Sequence, residues 1–158
     1  MYRRILVTLD GSETAERILP HVTELARCTN AELTLLRVVE PVDAAEAMTE
    51  AGFVSSHAFL LRELEAREYL VRIRARTSRA GVHPQLEVRS GAPTARVIVA
   101  GACELGADLI AMGTHGRSGL RRMVLGSVAE AVVRTATTPV LLLRTAEVRD
   151  ASRGAAPG

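Results

Sequence analysis

Aromatic residues are scarce in this 158-residue chain: two tyrosines, two phenylalanines and no tryptophan. Hydrophobic residues nevertheless make up 47% of it, so the core has to be aliphatic, a composition that suits a parallel sheet covered by helices. The same scarcity removes the basic, aromatic-interleaved surface that nucleic acids stack on. A net charge of +2 adds no strong field, so no nucleic acid is expected as a partner. Cysteine is limited to Cys28 and Cys103, with neither C-x-x-C nor zinc spacing. The expectation is two reduced, buried thiols in a cytoplasmic protein. His21, His57 and His83 are scattered without ligand spacing, and no metal site is expected from them. No apolar run reaches the ~18 residues of a membrane span. The N-terminus passes from Tyr2-Arg3-Arg4 straight into an apolar stretch without the pattern of a signal peptide. A cytoplasmic location with no membrane partner follows as the expectation. The lysine-bearing phosphate loop G-x-x-x-x-G-K-[ST] is also missing.

What is present alternates regularly. The length predicts one domain, residues 1–145, followed by a polar, patternless tail, 146–158, expected to be disordered. Such a chain buries roughly two thirds of its unfolded surface and needs no staple. Residues 4–9 read as a buried strand ending at Asp10-Gly11-Ser12. Ser12 is a credible helix cap, with Glu13 and Glu16 where the helix dipole favours them. Ala15, Ile18, Leu19, Val22, Leu25 and Ala26 follow a helical period; Pro20 falls inside it, and a kink is expected there. Glu32–Val39 is a second strand closed by Pro41. Residues 41–56 read as a mobile loop, and His57–Arg79 as a long amphipathic helix. Phe59, Ala66, Leu70, Ile73 and Thr77 form its buried face, and arginines and glutamates its solvated one. Pro84–Arg89 is a third strand. A helix opened by Gly91-Ala92-Pro93 runs to Gly106, Ala107–Met112 is a fourth strand, a helix runs from Ser127 to about residue 137, and Val140–Leu143 is a fifth strand.

Alternating strands and helices predict an α/β three-layer sandwich, a Rossmann-like fold with a five-stranded parallel sheet in the order 3-2-1-4-5. That order sets strands 1 and 4 side by side where the winding reverses. Ligands of open α/β sheets bind at the carboxyl ends of strands at such a point, here Asp10-Gly11-Ser12 and Met112-Gly113. The fourth strand leads into Gly113-Thr114-His115-Gly116, and Gly126-Ser127 opens the next helix. Glycines let backbone come close to a ligand, and inward-pointing N–H groups together with a helix start attract anions. Loop chemistry and topology select the same crevice. Arg117, Arg121 and Arg122 are either phosphate neutralisers or a solvated loop face, with Arg117 favoured as the contact. Ser127 is compatible with capping its helix and with binding phosphate. His115 reads as a loop side chain beside the ligand, because nothing in the sequence is placed to orient it as a catalyst. Strand 5 would be an edge, apolar on both sides, which predicts pairing with a second copy through 139–144 to give a homodimer.

These residues resemble the universal stress protein family over Ile5 to about Arg144. The likeness rests on Ile-Leu-Val-Thr-Leu-Asp-Gly-Ser (5–12), Ala-Asp-Leu-Ile-Ala-Met-Gly (107–113), the loop and helix from Gly113 through Gly126-Ser-Val-Ala-Glu130, and Thr-Pro-Val-Leu-Leu-Leu (138–143). The G-x-x-G-(nine)-G-[S/T] spacing is similar to that of the family's ATP-binding branch. The resemblance implies the fold of the adenine nucleotide α-hydrolase-like proteins. It puts Thr8 and Asp10 at the base and ribose side of a pocket and sets the backbone of Val38 against adenine. Gly113, Thr114, His115, Gly116, Arg117 and Ser118 would wrap the ribose and phosphates, with Gly126, Ser127 and Val128 closing on the phosphates. Met112 ends the strand beneath them. It also implies a dimer through strand 5. The expected ligand is ATP or a related adenine nucleotide, with Mg2+ on the phosphates through Asp10 or Ser127 compatible with these residues. Binding with slow or no hydrolysis is expected, serving an unknown regulatory partner. The competing readings are an adenylating or hydrolytic enzyme of the same fold and a nucleotide-free dimerisation module.

Overall fold

The computed structural model describes residues 1–41, 52–114 and 125–144. Residues 42–51 of the expected loop 41–56, His115 to Ser118, Arg121, Arg122 and the tail lie outside the described residues. Five parallel strands stand in the order β3-β2-β1-β4-β5: β1 (Arg4–Thr8), β2 (Glu32–Val39), β3 (Gln85–Ser90), β4 (Leu109–Gly113) and β5 (Val140–Leu143). The expected sheet order is the observed one. Registers such as Val7 opposite Leu35 and Ala111 bring the carboxyl ends of β1, β2 and β4 level.

Helices cover both faces, and side-chain alternation along the strands divides the core in two. On one face Ile5, Val7, Leu33, Leu35 and Ala111 pack under α1 (Glu13–Glu16), α2 (Leu19–Thr29) and α3 (Gly52–Ser78). On the other, Leu6, Leu36, Ile110 and Met112 pack under α4 (Thr94–Glu104) and α5 (Ser127–Thr135).

Several local expectations are corrected. Pro20 does not kink one helix. The chain forms two, with α1 ending at Glu16 and Pro20 in the first turn of α2, where its missing N–H costs nothing. The long helix starts at Gly52 instead of His57; once nucleated, a helix adds residues cheaply even where the apolar period is absent. Its expected inner face is right at Ala66, Leu70, Ile73 and Thr77, all buried. Its outer face is not purely polar: Leu60, Leu61, Leu64 and Val71 stand exposed among the charges. Cys28 and Cys103 are free and exposed, because each lies on the outward side of a helix whose neighbouring alanine, Ala26 or Ala102, takes the buried position.

Candidate functional site

The carboxyl ends of β1, β2 and β4 open into a crevice of about 960 Å3, at the upper end of small-molecule pockets. β1 delivers Thr8, buried at 9% exposure, and leads to Asp10 on the crevice wall. The turn after it is locally fixed. Asp10 Oδ1 accepts from the Ser12 amide at 3.0 Å and from the Ser12 hydroxyl at 2.6 Å. The same hydroxyl accepts from the Ala15 amide at 3.1 Å, capping α1 as expected. Both bonds to Asp10 land on one oxygen, so Asp10 holds its own turn and still presents Oδ2.

Val38 and Glu40 enter from the end of β2, and Thr94 from the start of α4. The Thr94 hydroxyl donates to Glu40, tying that helix start to the strand end. Met112, Gly113 and Thr114 come from β4, and Gly126, Ser127 and Val128 from the opening of α5. The span between them is pinned at its root: the Gly126 amide donates to Thr114 O at 2.6 Å, and the Thr114 amide to Leu143 O at 3.0 Å.

Ser127 is not the cap of α5. Gly126 is the N-cap, in extended conformation (φ −69, ψ 150), and no side chain caps the helix. Ser127 is the first helical residue and stands exposed at the crevice. The physical cause is the extended geometry of Gly126, whose carbonyl already accepts the Glu130 amide at 2.9 Å. The helix therefore opens on a residue with no side chain, and its first amides can serve an anion.

Among the described candidates, Thr8, Asp10, Val38, Met112, Gly113, Thr114, Gly126, Ser127 and Val128 converge on this one crevice. The sequence reading missed the opposite wall. Arg37 rises from β2, and its guanidinium packs against Gly11 and over the ring of Tyr69 at 5.3 Å; Arg72 lies over the same ring at 5.9 Å. Arg62 and Glu65 complete that side. Burial, then the Glu16 carboxylate, push the Tyr69 phenol well above its ordinary range, so it remains a neutral donor. The signal available in the sequence was Arg37, the one charged residue in the run Leu33–Val39. Described charges on the lining balance, Asp10, Glu40 and Glu65 against Arg37, Arg62 and Arg72. Among the described residues, what the α5 end offers an anion is backbone dipoles. Among the described residues no cluster of His, Cys, Asp and Glu is arranged to hold a metal ion.

Comparison with known proteins gives one answer. The sequence profile of the universal stress protein family matches residues 1–144. Universal stress protein MJ0531 of Methanocaldococcus jannaschii is 35% identical over 144 residues, covering 91% of this chain and 83% of its own. Among solved structures, protein MJ0577 superposes with a TM-score of 0.80 at 30% identity, over 93% of this chain and 99% of its own. A universal stress protein solved in complex with cAMP superposes with a TM-score of 0.62 at 27% identity, over 92% and 98%.

Proposed function

We propose that this chain, which belongs to the universal stress protein family, binds ATP or a close adenine nucleotide in the crevice and acts as a homodimeric stress-response regulator. The observation that carries the reading is the start of α5. A helix that opens on glycine, uncapped, beside an exposed serine and the glycine end of β4 is built to receive phosphate oxygens. In this reading Gly113, Thr114, Gly126, Ser127 and Val128 surround the phosphates, joined by His115, Gly116, Arg117 and Ser118 of the intervening loop. Asp10 meets the ribose hydroxyls, and Thr8, Val38 and Met112 hold the base end. The relative bound to cAMP supports an adenine nucleotide as the ligand class, and the G-x-x-G-(nine)-G-[S/T] spacing supports a full phosphate chain. Asp10 and Ser127 offer the hard oxygen ligands that Mg2+ takes beside phosphates.

Function is occupancy in this account, with hydrolysis slow or absent, since the lysine that P-loop enzymes bring to the phosphates is not in the loop. The test is to denature the purified protein and identify the released small molecule, then titrate ATP into emptied protein. Release of an adenylylated compound would favour an enzyme; release of nothing, together with no ATP binding, would favour a dimerisation module. Ser127→Asp separates ligand from fold. A carboxylate in the first turn suits the helix dipole and leaves stability unchanged or higher by about 0.3–1 kcal/mol, while repulsion of phosphate lowers ATP affinity about tenfold or more. Unaltered affinity by calorimetry would remove the phosphates from this helix.

A further inference from the structure

One strand position on the α3 side of the sheet carries a charge. Leu33 and Leu35 of β2 lie in the core there, and Arg37 continues the same face by the two-residue alternation of a strand. It stands one residue beyond Leu36, the last β2 residue opposite β1, whose partner is Thr8. Its side chain therefore meets the chain where β1 has ended and turns through Asp10 and Gly11. The approach is close. A Cβ on Gly11 would lie 2.4 Å from Nη1 and 3.1 Å from both Cζ and Nη2 of Arg37, and no other atom comes nearer to that point. The guanidinium thus covers the Gly11 backbone. It also lies over the Tyr69 ring, with Cζ 5.3 Å from the centroid, and its Nε and Nη1 are shielded from solvent. Tyr69 is a firm support. It is buried at 8% exposure, and α3, which carries it, is tied to α1 by the Arg76–Glu16 ion pair.

We infer that Arg37 is a positioning residue for sugar selectivity: held between Gly11 and Tyr69, it fixes the Asp10 carboxylate at the crevice wall in the pose that receives ribose hydroxyls. The inference rests on the nucleotide reading above and adds to it a residue that acts through Asp10. The bonds from Ser12 to Asp10 Oδ1 set the carboxylate relative to its own turn. They do not set the turn relative to the sheet, and the turn is hinged on a glycine at φ +85, a residue free to take other conformations. Before the hinge, the Leu9 amide donates to Leu36 O at 2.9 Å. After it, Ser12 caps α1. At the hinge itself the nearest contact is the Arg37 guanidinium. Glu16, Arg37 and Asp10 all place their charge near the Tyr69 phenol, so cation and carboxylate belong to one cluster. A planar guanidinium suits the seat, because it stacks on a ring and packs against backbone at once, as a lysine ammonium cannot. A carboxylate oxygen fixed in this way accepts charge-assisted bonds from sugar hydroxyls and gains nothing from a sugar that lacks them.

Calorimetric titration of the full chain, emptied of ligand, with ATP and with 2′,3′-dideoxy-ATP tests this. The readout is the ratio of the two affinities, because a merely structural loss weakens both alike. Wild type is expected to prefer ATP about tenfold or more. Arg37→Met, similar in length and uncharged, lowers the preference to about threefold or less. Arg37→Lys, which keeps the cation and loses the plane, lowers it in the same direction and carries the test where the methionine variant is unstable. Asp10→Asn, which keeps an oxygen for Ser12, also lowers it. Adding Arg37→Met to Asp10→Asn lowers it no further, as expected of one residue acting through the other. A preference that survives both Arg37 substitutions overturns the inference and leaves the nucleotide reading standing. A further loss in the double variant does the same, since Arg37 would then meet the ligand directly. Equal affinity of wild type for the two nucleotides also overturns it, by removing Asp10 from the sugar. A wild type that binds neither nucleotide sinks the nucleotide reading and this inference with it.

Discussion

At Gly11 a side chain has no place to go. The backbone is left-handed there (φ +85), and an added Cβ would lie 2.4 Å from Arg37 Nη1. Gly81 shares the conformation (φ +81) but has nothing within 4 Å. The two positions therefore separate backbone strain from crowding. Gly81→Ala is expected to cost about 1 kcal/mol, the penalty of a left-handed backbone with a Cβ. Gly11→Ala is expected to cost more, about 2 kcal/mol, because the Arg37 guanidinium must also leave its seat between the turn and Tyr69. Urea unfolding of both variants measures the difference; equal losses would mean that Arg37 moves aside freely. Asp10 illustrates a second point at this scale. Its carboxylate fixes the turn and lines the crevice at once, since both bonds from Ser12 use the same oxygen.

At the scale of elements, the junctions carry most of what pattern alone could not decide. Pro20 was legible as a disturbance of the helical period, but whether the chain bends or restarts depends on where Ile18 and Leu19 bury, and both are in the core. Since Pro20 sits in a first turn, Pro20→Ala should change stability by less than about 1 kcal/mol, against the ~3 kcal/mol that relieving an interior proline would return. Chemical denaturation decides between them. Asp108 does a comparable job for β1 and β4. Its carboxylate accepts from the Arg3 amide at 2.7 Å and the Arg4 amide at 3.0 Å, joining the starts of two strands 104 residues apart in sequence. Burial pulls its pKa up, and the two amides outweigh it and hold the group below the usual aspartate value. A lowered pKa stabilises the fold above the unfolded-state value and is lost as pH falls through the folded one. Asp108→Asn should therefore cost up to about 1 kcal/mol at pH 7, limited by solvent screening. The gap to wild type should close as pH drops below about 4. A gap that persists at pH 2 would assign the loss to packing.

At the scale of the whole molecule, strand order creates both the crevice and the exposed edge. Because the chain leaves β1 toward helices on one face of the sheet and β4 toward the helix on the other, the connections diverge and leave room for a ligand. Because β5 is last in the sheet, its outer hydrogen-bonding side pairs with no strand among the described residues, while Val140 and Leu142 face the core and Leu141 is 38% exposed. Pairing of this edge with a second copy follows from our functional reading, and a charge there should prevent it. Wild type is expected to sediment as a dimer at micromolar concentration and Leu141→Lys as a monomer, with its nucleotide site retained. A wild-type monomer would end the dimer proposal.

The sequence by itself determined the sheet order, the aliphatic core and the convergence of two strand ends with one helix start, because these follow from hydrophobic period, glycine positions and the handedness of crossovers, all local or topological constraints. It could not decide the opposite wall of the crevice, the outward turn of Cys28 and Cys103, or the second apolar face of α3. Those depend on which side of a helix meets the sheet and on how far a side chain such as Arg37 reaches across space. Only packing in three dimensions settles such angles and distances, since residues that meet there are separated by dozens of positions along the chain.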